Sequence, residues 1–140
     1  MVYKIIVIIL LSCILCYLLS TTKEHLKYQD PMLDSLKLDL MKLDPKASEL
    51  KYFASDKSFT EDKKDMYICL KDEKGQYYPK NVLMYVMIHE LAHAISHSYD
   101  DNHTGKEFNN NFDILLERAS SIGIYNPREP FVANYCGVTS

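Results

Sequence analysis

His89-Glu90-Leu91-Ala92-His93 lies inside a long apolar run and has the form H-E-x-x-H. On an α-helix, residues four apart are separated by about 400° of rotation and about 6 Å along the axis, so the imidazoles of His89 and His93 share one face. Two imidazoles on one face can bind the same Zn²⁺ at about 2.0–2.1 Å each. Glu90 lies about 100° further round the helix, where a carboxylate can take a proton from metal-bound water. The stretch therefore predicts a catalytic zinc site.

The surroundings of this motif predict a buried helix over residues 81–98. Pro79 precedes the segment, and Asn81 is predicted to be its N-cap residue. The apolar side chains surround the helix instead of forming one stripe, which is typical of a helix inside a core. Histidines and a glutamate are costly to bury there without partners, and a metal ion satisfies them. The alternative is that both histidines are core residues with hydrogen-bond partners of their own.

A third ligand is expected after the motif. His103 follows His93 by ten residues, beyond a polar loop, and a loop of that length can bring it back to the metal. His97 continues the four-residue spacing, but it lies about 12 Å along the axis from His89, too far for one zinc ion to bind both. We interpret His97 as a partly buried polar residue or a neighbour of the ligands. A carboxylate ligand stays open as an alternative, with Glu129 in the tail as a candidate.

A second, amphipathic helix is predicted after this loop. Thr104 and Glu107 have the spacing of a capping box, which assigns Glu107 to the helix start and not to the metal. Glu117 falls on the polar face, and Gly123 follows as a C-cap residue. We expect the apolar face to pack against the first helix and to support the loop that carries His103. Its members recur at helical spacing and are interpreted as core: Phe108, Phe112, Leu115, Leu116, Ala119 and Ile122.

These segments resemble the WLM metallopeptidases, which are relatives of the SprT-like and Spartan-type proteases. The likeness is carried by residues 81–93 and by the run His103-Thr104-Gly105-Lys106-Glu107-Phe108. Residues 66–70 and Tyr135-Cys136-Gly137 are also similar to small single-domain versions, including some encoded by large DNA viruses. The likeness covers roughly residues 50–137.

The resemblance implies that His89, His93 and His103 bind one Zn²⁺ and that Glu90 is the general base of peptide hydrolysis. It also implies an α+β, zincin-like minimal domain, in which a small mixed sheet packs on the active-site helix and on the helix that follows. Members of the family are intracellular proteases, and several act on proteins crosslinked to DNA. A separate DNA-binding or ubiquitin-binding module is not recognisable in this sequence.

The chain upstream of the motif is predicted to contain one amphipathic helix and two strands. The helix begins after Asp30-Pro31 and ends before Pro45. Residues 50–54 and 66–70 have the composition of strands, and a turn follows at residues 72–75. In zincin-like folds an edge strand beside the active-site helix pairs with an extended substrate, and we assign this role to residues 66–70.

The N-terminal segment predicts a membrane anchor. Residues 5–22 carry no charged side chain, and eighteen such residues can span a bilayer core of about 30 Å. A signal peptide is the competing interpretation, since its apolar region has about 7–15 residues, but an uncleaved transmembrane helix is favoured. We therefore divide the chain into an anchor at residues 1–22, a linker and amphipathic helix at 23–49, and a metallopeptidase domain at 50–140.

The domain is predicted to face the cytosol. Lys23, Lys27 and Lys37 follow the apolar segment, and Lys4 and the α-amine precede it, so the charge leans slightly toward a cytosolic domain. A glycan on the sequon at Asn102 would crowd His103, which also disfavours a lumenal domain. A secreted or lumenal location is the alternative.

The composition of the rest of the chain limits its partners. Without Lys4, the 16 basic residues of the chain fall to 15, against 19 acidic residues, which leaves a net charge of −4. The sequence shows neither a basic run nor alternating basic and aromatic residues, so direct binding of nucleic acid is not expected. The expected partners are a protein or peptide substrate and, through the apolar helix, a membrane. One disulfide, between Cys69 and Cys136, is compatible with the sequence.

Two other functions stay open at this level. One is a membrane-anchored zinc-binding scaffold without turnover, which Glu90 argues against because a structural site needs no base. The other is a zinc amidase that acts on a non-peptide amide, for which a small closed pocket would replace a groove with an edge strand. For peptide hydrolysis, Tyr125 or Tyr135 is a candidate hydrogen-bond donor to the oxyanion.

Overall fold

The structure is a computed structural model that describes residues 1–27, 30–98, 103 and 105–139, without the side chains of residues 21–27 and 139. The chain is mixed α+β and divides into two compact units, Met1–Asp30 and Pro31–Ser140. The α+β class predicted from the sequence is thereby confirmed.

The first unit is a single helix, α1 (Val2–Lys27). Its residues Val2–Ser20 are long and apolar enough to cross a membrane, a property that a signal sequence shares. The side chains of this stretch lie at the surface of the protein. The helix continues through residues 23–27, so the start of the predicted linker is helical, while residues 28 and 29 lie outside the described part of the chain.

The predicted amphipathic helix is present as α2 (Pro31–Leu40), and a short helix α3 (Lys46–Glu49) follows it. Pro31 occupies the first turn of α2, where its missing N–H removes no helical hydrogen bond. Leu33, Leu36 and Leu40 are buried in the same core as the motif-bearing helix. Residues 31–49 therefore belong to one compact unit with residues 50–140.

A three-stranded sheet comes next, formed by β1 (Lys51–Ser55), β2 (Phe59–Glu61) and β3 (Asp65–Cys69) in the order β1-β3-β2. β1 runs parallel to β3, and β2 runs antiparallel to it. Both strands predicted from the sequence are present, each shifted by one residue.

The prediction that residues 66–70 form an edge strand is wrong, because β3 is the central strand and pairs on both sides. Its Met66 is fully buried, as expected for a covered strand. The edge strand that contacts the motif-bearing helix is β2, which was not predicted. A tight turn creates it: Asp62 and Lys63 have left-handed backbones with φ of 49° and 56°, and Lys64 N donates to Glu61 O at 3.0 Å. Turns of this kind reverse a strand directly.

Two longer helices complete the core: α4 (Lys80–Ile95), which carries the motif, and α5 (Lys106–Ser121). α4 packs against α2, α5, β2 and β3, as predicted for a helix that is apolar on all sides. It ends at Ile95 and not at residue 98, because Ser96 has an extended backbone and its hydroxyl donates to Ala92 O at 2.7 Å. α5 ends just before Gly123, whose φ of +77° suits the left-handed position after a helix.

The tail folds back onto the domain at two places. Asn81 lies inside α4 and is not its N-cap; its amide instead donates to Asn126 O at 3.0 Å and accepts from Asn126 N at 2.7 Å. Further on, β4 (Asn134–Tyr135) and β5 (Val138–Thr139) form a hairpin with left-handed turn residues, Cys136 and Gly137. A disulfide joins Cys136 to Cys69 at the end of β3.

Candidate metal centre

The structure brings His89, His93 and His103 together. His103 Nε2 lies 3.1 Å from His89 Nε2 and 3.0 Å from His93 Nε2, and the three ligand atoms all lie within 4.8 Å of one another. His89 and His93 are half-buried on one face of α4, as their spacing predicts. His103 comes from the connection between α4 and α5 and is exposed.

A single hydrogen bond accounts for only one of the two close contacts of His103 Nε2. A neutral imidazole nitrogen has either one proton or one lone pair, so His103 Nε2 can form a full hydrogen bond to only one of its two neighbours. A divalent cation accepts a lone pair from each ring. Three nitrogen ligands with a further position for water also match the donor set of catalytic metal sites. The residues present can therefore hold a metal ion.

The surroundings keep His89 in the form that binds metals. Burial, together with the neighbouring rings of His93 and His103, lowers the pKa of His89 to about 4. The imidazole is therefore neutral at pH 7 and has a ring lone pair to donate.

Phe108 lies under all three histidines. Its ring centroid is 4.3 Å from that of His93 in a stacked arrangement, and 5.0 Å from those of His89 and His103. Phe112 adds an edge contact to His89 at 5.2 Å. The core position predicted for Phe108 is confirmed, but its contact with the histidines was not predicted. In the sequence, Phe108 begins an apolar helix face five residues after His103, and this position is a local indication of the contact.

His103 is held through its backbone by α5. Asn109 Nδ2, in the first turns of this helix, donates to His103 O and to Gly105 O, each at 3.0 Å. His103 has a left-handed backbone with φ of 56°, which is uncommon outside glycine. The asparagine therefore supports an unusual conformation at the point where the third imidazole enters the site.

Glu90 contacts the edge of the sheet. Thr60 Oγ1, on β2, lies 2.9 Å from Glu90 Oε2 and 3.1 Å from Glu90 O. Glu90 is 5% exposed. This burial raises the pKa of Glu90 to about 7, against the lowering effect of the Thr60 hydroxyl. A carboxyl that titrates near neutrality can both accept and release a proton. Thr60 was missed in the sequence because its strand was not recognised.

Replacing Thr60 with valine is expected to lower the free energy of unfolding by about 1–3 kcal/mol, because the buried carboxyl of Glu90 loses its hydroxyl donor. Urea unfolding followed by circular dichroism measures the difference from the parent. Thr60→Ser keeps the hydroxyl and serves as the control. Equal stability of the valine variant and the parent would show that this hydroxyl does not support Glu90.

The competing ligand candidates have other partners. His97 is exposed, contrary to the predicted partial burial, and its Nδ1 lies 2.9 Å from Glu107 Oε1. Glu107 also accepts a hydrogen bond from Ser98 N at 3.1 Å. The predicted capping box depends on Thr104, which lies outside the described residues. Glu129 Oε1 accepts a hydrogen bond from a tail asparagine at 3.3 Å.

The two tail tyrosines have different surroundings. Tyr135 is buried, and its hydroxyl donates to Cys69 O at 2.7 Å, which leaves no proton for an oxyanion. Tyr125 is half-buried, with its ring 5.9 Å from that of Tyr85. Of the two predicted oxyanion donors, Tyr125 is the one that stays a candidate.

Comparison with known proteins finds relatives in viruses. The chain is 42% identical over 92 residues to an uncharacterized protein of Invertebrate iridescent virus 6, a match that covers 64% of this chain and 50% of that protein. An uncharacterized protein of Invertebrate iridescent virus 3 is 40% identical over 92 residues, covering 65% of this chain and 56% of the relative. The chain thus spans about half the length of the curated relatives it matches. No family model matches the chain, and no solved structure matches it significantly.

Proposed function

We propose that the chain is a zinc-dependent metallopeptidase of the WLM type, with a zincin-like domain that hydrolyses peptide bonds. The observation that carries the proposal is the convergence of three imidazole Nε2 atoms: His89 and His93 on α4 meet His103 from the following connection, and α4 also buries the carboxyl of Glu90. A structural zinc site takes four protein ligands, whereas a catalytic site takes three and leaves a position for water. Three histidines and a buried carboxyl therefore favour a hydrolase over a scaffold.

Each residue has a separate task in this reaction. His89, His93 and His103 would hold the zinc ion, which when bound supplies a water of pKa about 7 and a positive charge for the oxyanion. Glu90 would take a proton from the attacking water as its oxygen adds to the carbonyl carbon, and would pass that proton to the amine as the C–N bond breaks. Thr60 holds the carboxyl of Glu90 through its hydroxyl, and Phe108 excludes water from the buried side of the histidines.

The substrate is proposed to lie along β2. This strand is the sheet edge that contacts α4, and its Thr60 binds Glu90, so a peptide added to the edge would pass close to the proposed base. An extended peptide pairs with a strand through backbone hydrogen bonds, which suits protein substrates of varied sequence. An amidase for small molecules would need no such edge, so β2 favours the peptidase.

α1 is proposed to anchor the domain in a membrane. The lysines around the apolar segment favour a cytosolic domain, but the disulfide between Cys69 and Cys136 is typical of an oxidising compartment. The disulfide is the stronger indication, because the numbers of positive charges before and after the apolar segment differ so little that one lysine more or less would change the comparison. The sequon argument for the cytosol depends on an attached glycan, whereas a sequon is only an acceptor. We therefore propose the lumenal or extracellular side instead of the cytosolic side.

The full chain, purified in detergent, provides the test. We expect one zinc ion per chain, cleavage of casein, loss of cleavage with a chelator and recovery when Zn²⁺ is added back. Bound zinc without any hydrolysis would favour the scaffold. Hydrolysis of small amides but not of peptides would favour the amidase. A chain that takes up no zinc would contradict the proposal.

A further inference from the structure

The segment that leaves α4, residues 96–98, is held by Glu107 from the first turn of α5. Glu107 Oε1 accepts a hydrogen bond from His97 N at 2.8 Å, and Oε2 accepts one from Ser98 N at 3.1 Å. The same carboxylate lies 2.9 Å from His97 Nδ1 and 2.8 Å from Ser98 Oγ. The backbone N–H groups of the two residues, followed by their side chains, lower the pKa of Glu107 to about 2. The carboxylate is therefore charged when it holds the segment at neutral pH.

Lys63 holds the same segment from the sheet. It lies in the turn between β2 and β3, and its ammonium donates to Ser96 O and, at 2.8 Å, to His97 O. Ser98 O lies 3.5 Å from the same nitrogen. These three carbonyl groups follow the end of α4, so no helical hydrogen bond satisfies them and the lysine supplies a donor. Glu107 thus holds the N–H groups of the segment, and Lys63 holds its C=O groups.

The contacts of Glu107 and Lys63 with this segment lie mainly at the protein surface, where polar contacts add little to the stability of the fold. His97 and Ser98 are both exposed. The segment does, however, begin the connection that leads to His103. The far end of that connection is also held by α5, through Asn109 and His103 O. The start of α5 therefore fastens the connection at both ends.

We infer that Glu107 and Lys63, together called the clamp, are positioning residues that hold His103 in place for the metal ion. The inference rests on the proposed function and deepens it. A chain segment that carries a metal ligand loses conformational entropy when the metal binds, and this loss is smaller when both ends of the segment are already fixed. Removal of a group that hydrogen-bonds directly to a metal ligand changes metal affinity by about 10–100-fold. The clamp contacts the connection and not His103 itself, so we expect the lower end of this range.

Two variants of the full chain test the clamp. Glu107→Gln keeps the size of the side chain and removes its charge, and Lys63→Met removes the ammonium. We expect each to weaken Zn²⁺ binding at least about tenfold in competition with a chelator, and to alter the visible spectrum of the Co²⁺-loaded protein. In the metal-free chain, amide hydrogen exchange of residues 97–105 is expected to become faster, while the urea midpoint of unfolding stays at the parental value.

Glu117→Gln and Lys74→Met are the matched controls, because both side chains are exposed and outside the clamp. Both should keep the parental affinity, spectrum and exchange rates. Parental zinc affinity in both clamp variants would overturn the positioning role and leave the proposed peptidase standing. A lower urea midpoint, with faster exchange throughout the domain, would make the clamp a general stabilising contact and also overturn the role. A parent that binds no zinc would overturn the proposed function and the clamp together.

Discussion

Glu90→Gln is expected to keep its zinc ion and to cleave peptides at least about a hundredfold more slowly than the parent. Glutamine preserves the size of the side chain, and its amide oxygen can still accept a hydrogen bond from the Thr60 hydroxyl. The packing around α4 should therefore not change. It cannot take a proton from water, and general-base catalysis contributes about 10²–10⁴-fold to the rate. Initial rates on a labelled peptide and the zinc content of the same preparation measure both properties.

His93→Ala is the companion variant and is expected to lose zinc and cleavage together, because two imidazoles are left to bind the ion. Glu117→Gln, on the exposed side of α5, is the control and should match the parent in both measurements. Cleavage by Glu90→Gln at the parental rate would show that another group is the base. Full zinc content in His93→Ala would rule out the three-histidine site.

Removal of the disulfide is expected to lower the free energy of unfolding by about 4 kcal/mol. Cys69 and Cys136 are 67 residues apart in the chain, and a crosslink across a loop of this length restricts the unfolded chain by about that amount. The bridge also brings the hairpin next to β3, where Tyr135 donates to Cys69 O. Urea unfolding of the double variant Cys69→Ser/Cys136→Ser measures the loss.

Cys13→Ser/Cys16→Ser is the matched control, because both thiols are free and exposed on α1. Parental stability of the Cys69/Cys136 double variant would show that the bridge does not hold the domain together.

The same disulfide predicts how many cysteines of the chain isolated from cells have a free thiol. Of the four cysteines, two should react with a maleimide when the chain is unfolded without reductant. Reaction of all four would show a reduced domain and favour the cytosolic side.

The long helices could be predicted because their signals are local. Apolar spacing marks α4 and α5, and the leucines of α2 follow the same rule. The order of the strands could not be predicted, because a strand's neighbours are decided by packing across the chain. β2 has only three residues, of which Thr60 alone is partly buried, so its sequence shows no useful alternation. Once β2 was missed, β3 was assigned to the edge that β2 occupies.

The candidate site divides in the same way. Four-residue spacing on a helix places His89 beside His93 whatever the rest of the fold does. His103 was predicted from the length of a loop and from a family resemblance, and the structure brings it to the other two. Thr60 and Glu107 have partners about 30 and 10 residues away, which no local pattern indicates. The three-residue spacing of Thr104 and Glu107 matches a capping box, so the sequence suggests a local role for Glu107 and gives no indication of its contact with residues 97 and 98.

If a peptide binds along β2 as proposed, the strand offers it very little length. Its three residues, Phe59–Glu61, span about 10 Å. A target held over so short a distance forms few backbone hydrogen bonds, so recognition would require a stretch that is already extended and unpaired, and would depend little on residues further along. Folded proteins would then be cut only at loops, termini or unfolded regions. The conformation of the target, more than its sequence, would decide where it is cut.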